Sequence, residues 1–183
     1  YSVKISALQQ SCGLFWTYLR LGPVLTNNDI LRRLRYTFDL KDNAVVEIFA
    51  LADFTVTEEQ VVAWLRKDED KNFIKLNDVT LALFLNGFIN LKRGKRDGKA
   101  SVPEKKLNNN MVFQKLRIAL NLKEEDIVDI LQGIDFPLSK HELSSFFRKP
   151  DNKHYRECKD QILRNFLLGL QLQFRPSDRN VDV

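Results

Sequence analysis

The strongest constraint on the fold is a repeat. The sequence aligns with itself without a gap when it is shifted by 82 positions, and substitutions such as Ile30 to Val112 keep their apolar character. The identical pairs include Asn27-Asn28 with Asn109-Asn110, Leu34-Arg35 with Leu116-Arg117, Asp53-Phe54 with Asp135-Phe136, and Arg66-Lys67 with Arg148-Lys149. Self-similarity at a fixed spacing over roughly seventy residues is typical of a duplicated module. We therefore expect two similar modules in tandem.

Each module is predicted to consist of helices alone, so the expected fold class is all-α. In the first module Ile30, Leu34 and Phe38 recur at the spacing of one helical face, and a second short helix is predicted over residues 42–51. No run alternates between polar and apolar residues for long enough to predict a strand.

Two further patterns define the remaining helices. Thr57 with Gln60, and Ser139 with Glu142, have the spacing of a capping box and predict the start of a third helix in each module. A long apolar helix follows, over residues 78–91 in the first module and 160–172 in the second. Each long helix contains one internal glycine, Gly87 or Gly169, which costs about 1 kcal/mol relative to alanine and predicts a close helix–helix approach.

The module boundaries are predicted from composition. Residues 24–93 form the first repeat and residues 108–175 the second, with a tail over residues 176–183. Residues 94–107 form a basic linker rich in Gly, Lys and Ser, which is expected to be flexible and to let the modules pack together or reorient.

Residues 1–23 differ from the rest, because they contain no acidic side chain and no sustained helical period. One hypothesis is that they are upstream sequence and that the native start is a GTG codon read here as Val24. The alternative is a genuine or flexible N-terminal extension that packs on the first module.

The first three helices of each module resemble a helix-turn-helix domain of the phage-repressor kind, in which the third helix enters the major groove. The first copy would present Glu58 and Glu59 there, which oppose phosphate, whereas the second would present Lys140, His141 and Ser144. A plain structural or protein-binding helix is the alternative.

The chain is mildly basic, with a formal net charge of +5 and a pI near 9.2, and each module is nearly neutral. This balance permits an acidic partner without requiring one. The candidate nucleic-acid-binding residues are Arg66, Lys67, Lys71, Lys92, Arg93, Lys95, Arg96, Lys140, His141, Arg148, Lys149 and Lys153. The alternative for Arg66-Lys67 and Arg148-Lys149 is that they close the third helix, where cations favour the negative end of the helix dipole.

Catalysis has little support in the sequence. His141 and His154 lie on different segments without a recognisable nucleophile beside them, and Cys12 and Cys158 have no ligand-spaced neighbour. Cys158 aligns with Leu76 of the first module, which predicts a buried apolar role. We expect no enzyme activity, no metal, no cofactor, no membrane span and no small-molecule substrate.

Several passages resemble the YehS-type family of bacterial proteins, whose members carry a domain of unknown function in tandem. They include residues 26–36, 107–110, 115–117, 139–143, 147–150 and 155–158, within a resemblance that covers residues 24 to about 175. The resemblance implies a small cytoplasmic bacterial protein with a duplicated helical domain, and it carries over no catalytic or binding residue.

Two functions are left open. The first is a nucleic-acid-associated or regulatory binding protein that contacts DNA or RNA through the basic residues above. The second is a protein–protein adaptor that uses apolar grooves between the modules and binds no nucleic acid.

Overall fold

The computed structural model describes residues 24–95 and 102–175, and eight α-helices account for most of them. The first module contains α1 (Asn27–Thr37), α2 (Asp42–Ala50), α3 (Glu58–Leu65) and α4 (Asp78–Arg93). The second contains α5 (Asn109–Ala119), α6 (Glu124–Gln132), α7 (Lys140–Phe146) and α8 (Asp160–Phe174). This part of the chain has no strand, so the all-α, two-module prediction is confirmed. None of these helices is long and apolar enough to cross a membrane.

The third helix of each module begins with the capping box predicted for it. The Thr57 hydroxyl accepts a hydrogen bond from the backbone N–H of Gln60, and the Gln60 side chain accepts one from the backbone N–H of Thr57. Ser139 and Glu142 form the same reciprocal pair at α7. A further capping box, which the sequence analysis did not identify, begins α1 at Thr26.

A buried asparagine on the first helix of each module connects it to the segment before the last helix. Nδ2 of Asn28 donates to the carbonyl oxygens of Trp64 (2.8 Å) and Ile74 (2.9 Å). Its Oδ1 accepts from the backbone N–H of Leu76, and Asn110 makes the three equivalent bonds in the second module. Because burying an amide is costly unless it is hydrogen-bonded, this geometry explains why both modules keep an asparagine here.

The two internal glycines lie where two helices of one module approach each other closely. A Cβ atom added at Gly87 would lie 1.8 Å from the carbonyl oxygen of Ile48 in α2. At Gly169 it would lie 2.5 Å from Cγ2 and 2.9 Å from the carbonyl oxygen of Ile130 in α6. The prediction of a close approach is therefore confirmed, with the second and fourth helices of each module as the partners.

The two modules pack against each other through their first and last helices. α5 packs on α4, and α1 packs on α8, more extensively than either first helix packs on the last helix of its own module. Apolar side chains from both modules form one continuous core. At its edge the rings of Phe38 and the exposed Phe174 lie 5.0 Å apart across the interface. The two contacts are equivalent under the 82-residue offset, so the modules are related like the halves of a pseudo-symmetric dimer.

Two details differ from the sequence-based prediction. α4 continues to Arg93, so Lys92 and Arg93 belong to the helix and not to a segment that follows it. Residues 102–107 of the predicted linker contact both modules, because Glu104 pairs with Lys115 and the backbone N–H of Leu107 bonds Asp78. The predicted extension over residues 1–23 and the tail over residues 176–183 lie outside the described residues.

Candidate functional site

A cavity with a volume of about 650 Å³ lies between the modules. We call it the inter-module cleft. α4 and α5 form two of its walls, and residues that follow α7 form another. The lining side chains used below are Asn86, Ile89, Arg93, Lys95, Glu104, Met111, Gln114, Lys115, Ile118, Phe147, Arg148 and Tyr155. Ligand sites in proteins commonly have volumes of about 300–1,000 Å³, so the cleft is large enough to hold a ligand of that class.

Polar side chains from both modules meet within the cleft. Nζ of Lys115 in α5 lies 2.6 Å from Oδ1 of Asn86 in α4 and 2.9 Å from Oε1 of Glu104. Lys115 is 8% exposed and Asn86 4% exposed. We call these three residues, with the neighbouring Gln114, the buried polar cluster. A buried ammonium group requires such partners, because removing a charge from water is costly unless it is paired.

Three atoms of the buried polar cluster have no hydrogen-bond partner among the residues that the structure describes. They are Nδ2 of Asn86, Oε2 of Glu104 and Oε1 of Gln114. Buried polar atoms are nearly always paired in native proteins, so these three solvent-shielded atoms are exceptions within the packing between the two modules.

Three of the predicted nucleic-acid-binding residues, Arg93, Lys95 and Arg148, line the same cleft and are exposed. We call them the basic edge. Nζ of Lys95 lies 2.6 Å from Oδ1 of Asp53, so its charge is partly offset. Arg93 and Arg148 have no carboxylate within ion-pair distance in the ranges 24–95 and 102–175, which leaves both guanidinium groups available to an anion.

The structure gives other members of the predicted set local partners. NH1 of Arg66 lies 2.8 Å from Oδ2 of Asp70, and Nζ of Lys92 lies 5.3 Å from the ring centroid of Phe38. Nζ of Lys140 lies 2.8 Å from Oε1 of Glu125 on α6. The hydrogen bond to Glu125 raises the pKa of Lys140 and correspondingly lowers that of the carboxyl group.

The remaining members are spread over the surface or lie beyond the described ranges. Lys67, Lys71, His141, Lys149 and Lys153 are all exposed, and none of them lines the inter-module cleft. The structure does not describe Arg96. The predicted basic set is therefore not one continuous surface, and only three of its described members converge on a cavity.

A family model described as "Protein of unknown function (DUF1456)" matches the chain twice, over residues 27–94 and 109–175. The chain belongs to this family. It is also 45% identical to the protein described as "Uncharacterized protein YehS" of Escherichia coli (strain K12), over 147 residues that cover 80% of this chain and 94% of the relative. No solved structure matches it. The resemblance noted from the sequence is thus confirmed.

In this DUF1456 protein the two matches coincide with the two structural modules, and the inter-module cleft draws on both. Asn86 and Arg93 lie in the first match, and Gln114, Lys115 and Arg148 lie in the second. The cleft is therefore a product of the tandem arrangement and cannot be formed by one module alone.

The pseudo-symmetry places a second, smaller cleft of about 410 Å³ between α1 and α8. Arg32 and Arg33 occupy the positions of Gln114 and Lys115 there. Arg32 pairs with Asp29 and Asp68, at 2.8 Å in each case. Burial lowers the pKa of the Arg33 guanidinium, and this effect exceeds the opposite effect of the Asp29 charge.

The two clefts also differ at the position of Arg93. Its equivalent, Arg175, lies over the Tyr36 ring at 4.2 Å and donates to the Tyr36 carbonyl oxygen at 3.1 Å. That contact joins the two modules, whereas Arg93 makes no comparable contact within the described residues. The duplicated modules have thus diverged at this position, because only Arg175 of this pair joins the modules through Tyr36.

Sequence reasoning included Arg93, Lys95 and Arg148 among its candidate residues without predicting that they converge, and it missed the buried polar cluster. The sequence did contain a signal for this cluster, namely polar residues inside apolar patterns. Asn86 interrupts the apolar run of residues 81–89, and Lys115 stands between the apolar residues Val112 and Leu116 on the buried face of α5. A buried polar residue in such a pattern indicates a specific partner, although the pattern cannot say which residue that partner is.

Proposed function

We propose that this protein is a non-enzymatic binding protein and that it binds nucleic acid at the inter-module cleft. The observation that carries the proposal is the convergence of Arg93 and Arg148 on one cavity, with no carboxylate paired to either in the described part of the chain. Guanidinium groups bind phosphate through paired N–H donors, and phosphate contacts supply most of the affinity of non-specific nucleic-acid binding.

The cleft also contains groups suited to bases. Phe147 and Tyr155 line it, and aromatic rings bind unpaired bases by stacking. The predicted recognition helices offer fewer basic groups, because α3 begins with Glu58 and Glu59 and Lys140 of α7 is paired with Glu125. We therefore place the nucleic-acid contact in the cleft and not on α3 or α7. A nucleic-acid partner is consistent with the expected cytoplasmic location.

The proposal is tested by fluorescence anisotropy with labelled single-stranded and double-stranded DNA and RNA at roughly 50 and 200 mM salt. Binding should weaken steeply as salt rises. The double variant Arg93→Glu with Arg148→Glu should weaken binding roughly tenfold or more. The matched control is Lys67→Glu with Lys71→Glu, which makes the same change in net charge outside the cleft and should have a much smaller effect.

A protein–protein adaptor is the second candidate, because apolar side chains line the same cleft. Met111 is 37% exposed and Ile118 39% exposed, and Ile89 lies on the opposite wall. Binding driven by burial of apolar surface changes little with salt. The absence of nucleic-acid binding at low salt would overturn the first proposal, and salt-insensitive capture of a protein that Met111→Asp abolishes would support the second.

A further inference from the structure

The second cleft, between α1 and α8, keeps a cation at a position where the inter-module cleft has one, but not the partners of that cation. Under the 82-residue offset Arg33 takes the place of Lys115. The asparagine and the glutamate that bind the Lys115 ammonium group are replaced by Leu168 and Gly22, which have no polar side chain. The second cleft therefore offers Arg33 no equivalent of the contacts that neutralise Lys115.

Arg33 is half-buried, and no carboxylate in residues 24–95 or 102–175 lies within ion-pair distance of it. Asp29, which lines the same cleft, is already engaged through both of its oxygens. Its Oδ1 accepts from Arg32 at 2.8 Å, and its Oδ2 accepts from the backbone N–H (3.0 Å) and the hydroxyl (2.7 Å) of Thr26. Because a charge that is partly removed from water is costly unless it is paired, the Arg33 guanidinium is suited to bind an anion.

Arg164 on α8 adds a second guanidinium group to the lining of the second cleft. Burial lowers the pKa of Arg33 most, the charge of Asp29 opposes this effect, and the charge of Arg164 adds to it. The position equivalent to Arg164 in the first module is occupied by Ala82, so the inter-module cleft has no such arginine. Two like charges from different modules thus act on one cavity, and an anion between them would relieve their repulsion.

We infer that the second cleft binds the oxyanion group of a small molecule, a phosphate or a carboxylate, through Arg33 and Arg164. A guanidinium group binds either anion through paired N–H donors. The volume of about 410 Å³ lies within the range of about 300–1,000 Å³ that is usual for ligand sites, so the cleft has room for the molecule that carries the anionic group. This inference does not depend on the proposed function, because it concerns other residues on the other pair of helices.

The test titrates the full chain with inorganic phosphate and with acetate by isothermal titration calorimetry, at an ionic strength held constant with sodium chloride. We expect saturable binding, and the anion that binds more tightly identifies the oxyanion group. Arg33→Met removes the guanidinium group and keeps the apolar stem, and it should weaken this binding roughly tenfold or more. Arg156→Met removes the same charge at an exposed position outside both clefts and should leave the binding unchanged.

A stability measurement gives a second readout and shows that each variant is folded. A ligand that binds only the folded state stabilises it, so the anion should raise the midpoint of urea unfolding, followed by circular dichroism. This rise should be lost in Arg33→Met and kept in Arg156→Met. Arg33→Lys keeps the charge but not the paired donors, so it should fold like the unmodified protein and bind the anion more weakly.

The variant Arg93→Glu with Arg148→Glu separates this inference from the proposed function. Loss of anion binding in Arg33→Met but not in this double variant supports the inference, whether or not nucleic acid binds at the inter-module cleft. Loss in the double variant but not in Arg33→Met would assign the anion to the basic edge and overturn the inference. Saturable binding that neither variant changes, or no saturable binding of phosphate or acetate, would also overturn it.

Discussion

Asp78 and Asp160 occupy equivalent positions at the start of α4 and α8. Each carboxylate accepts a hydrogen bond from the backbone just before the first helix of the other module. Oδ2 of Asp78 accepts from the backbone N–H of Leu107 at 3.0 Å, and Oδ2 of Asp160 accepts from the backbone N–H of Leu25 at 2.9 Å. The second oxygen of each carboxylate accepts from an asparagine of its own module, Asn27 for Asp78. The modules are thus joined by two reciprocal sets of hydrogen bonds.

These carboxylates should stabilise the assembled pair of modules. Hydrogen bonds to charged groups contribute about 1.5–3 kcal/mol, so Asp78→Ala and Asp160→Ala should each lower the free energy of unfolding by about 1–3 kcal/mol. Urea denaturation followed by circular dichroism measures the loss. Asp151→Ala, at an exposed position after α7, is the control and should change stability by less than about 0.5 kcal/mol. Equal effects at all three positions would contradict the proposed role.

At the internal glycines we expect substitution by alanine to destabilise the protein, although helix propensity favours alanine. Alanine is favoured over glycine by about 1 kcal/mol inside a helix. Gly87→Ala should nevertheless destabilise the protein by about 2 kcal/mol or more, because the new Cβ would overlap the carbonyl oxygen of Ile48. Gly169→Ala should cost less, because its closest contact is a methyl group of Ile130 at 2.5 Å. Thermal and urea unfolding of both variants test this order.

Gly133 provides the matched control for these substitutions. It lies at the end of α6 in a right-handed helical conformation, and a Cβ there would come no closer than 3.4 Å to Asp129. Gly133→Ala should therefore be neutral or should stabilise the protein by up to about 1 kcal/mol. A stabilising Gly87→Ala would show that the close approach of α2 and α4 is not required.

Much of the fold could be predicted from the sequence because the repeat and the capping boxes are local or periodic signals. Thr57 and Ser139 identified helix starts correctly, and Gly87 and Gly169 predicted the tight packing. The packing of each first helix on the last helix of the other module could not be predicted. A repeat states that two units are alike, but it contains no information about how they pack.

The candidate site, like the fold, could be predicted from the sequence only in part. Arg93, Lys95 and Arg148 were identified by charge alone, but their convergence depends on how α4 and α5 pack across the module boundary. The pairing of Asn86 with Lys115 joins residues 29 positions apart in different modules. An asparagine does not require a lysine as its partner, nor a lysine an asparagine. The contact between these two residues can therefore be seen only in the folded structure.

The contributions of Lys115 and Glu104, which form an ion pair in the buried polar cluster, to the free energy of unfolding should depend on each other measurably. Lys115→Met leaves Glu104 without its cation and should lower the free energy of unfolding by about 1–3 kcal/mol. Adding Glu104→Gln should recover part of that loss, because the uncompensated carboxylate is then absent. A double-mutant cycle measured by urea denaturation gives the coupling. The exposed pair Lys140 and Glu125 is the matched control and should show no measurable coupling.

Cys158 should be chemically inert in the folded protein. Burial, and to a lesser degree the charge of Asp160, raises the pKa of the Cys158 thiol to about 12. At pH 8 only about one thiol in ten thousand is then the reactive thiolate. Iodoacetamide should leave the peptide that contains Cys158 unmodified under native conditions and should modify it fully in denaturant, as read by mass spectrometry. Rapid native modification would contradict the buried position.

The same thiol should make the stability depend on pH in the alkaline range. Its pKa in the folded state, about 12, lies above the ordinary value near 9, so the unfolded state releases this proton first as the pH rises. The contribution to stability is complete below pH 9 and is lost progressively toward pH 12. Cys158→Ala has no thiol to titrate, so its free energy of unfolding should fall less steeply between pH 8.5 and 10.5 than that of the unmodified protein. Because every other titratable group is the same in both proteins, the difference between their urea-denaturation curves isolates this thiol. Equal slopes would show that burial does not raise its pKa.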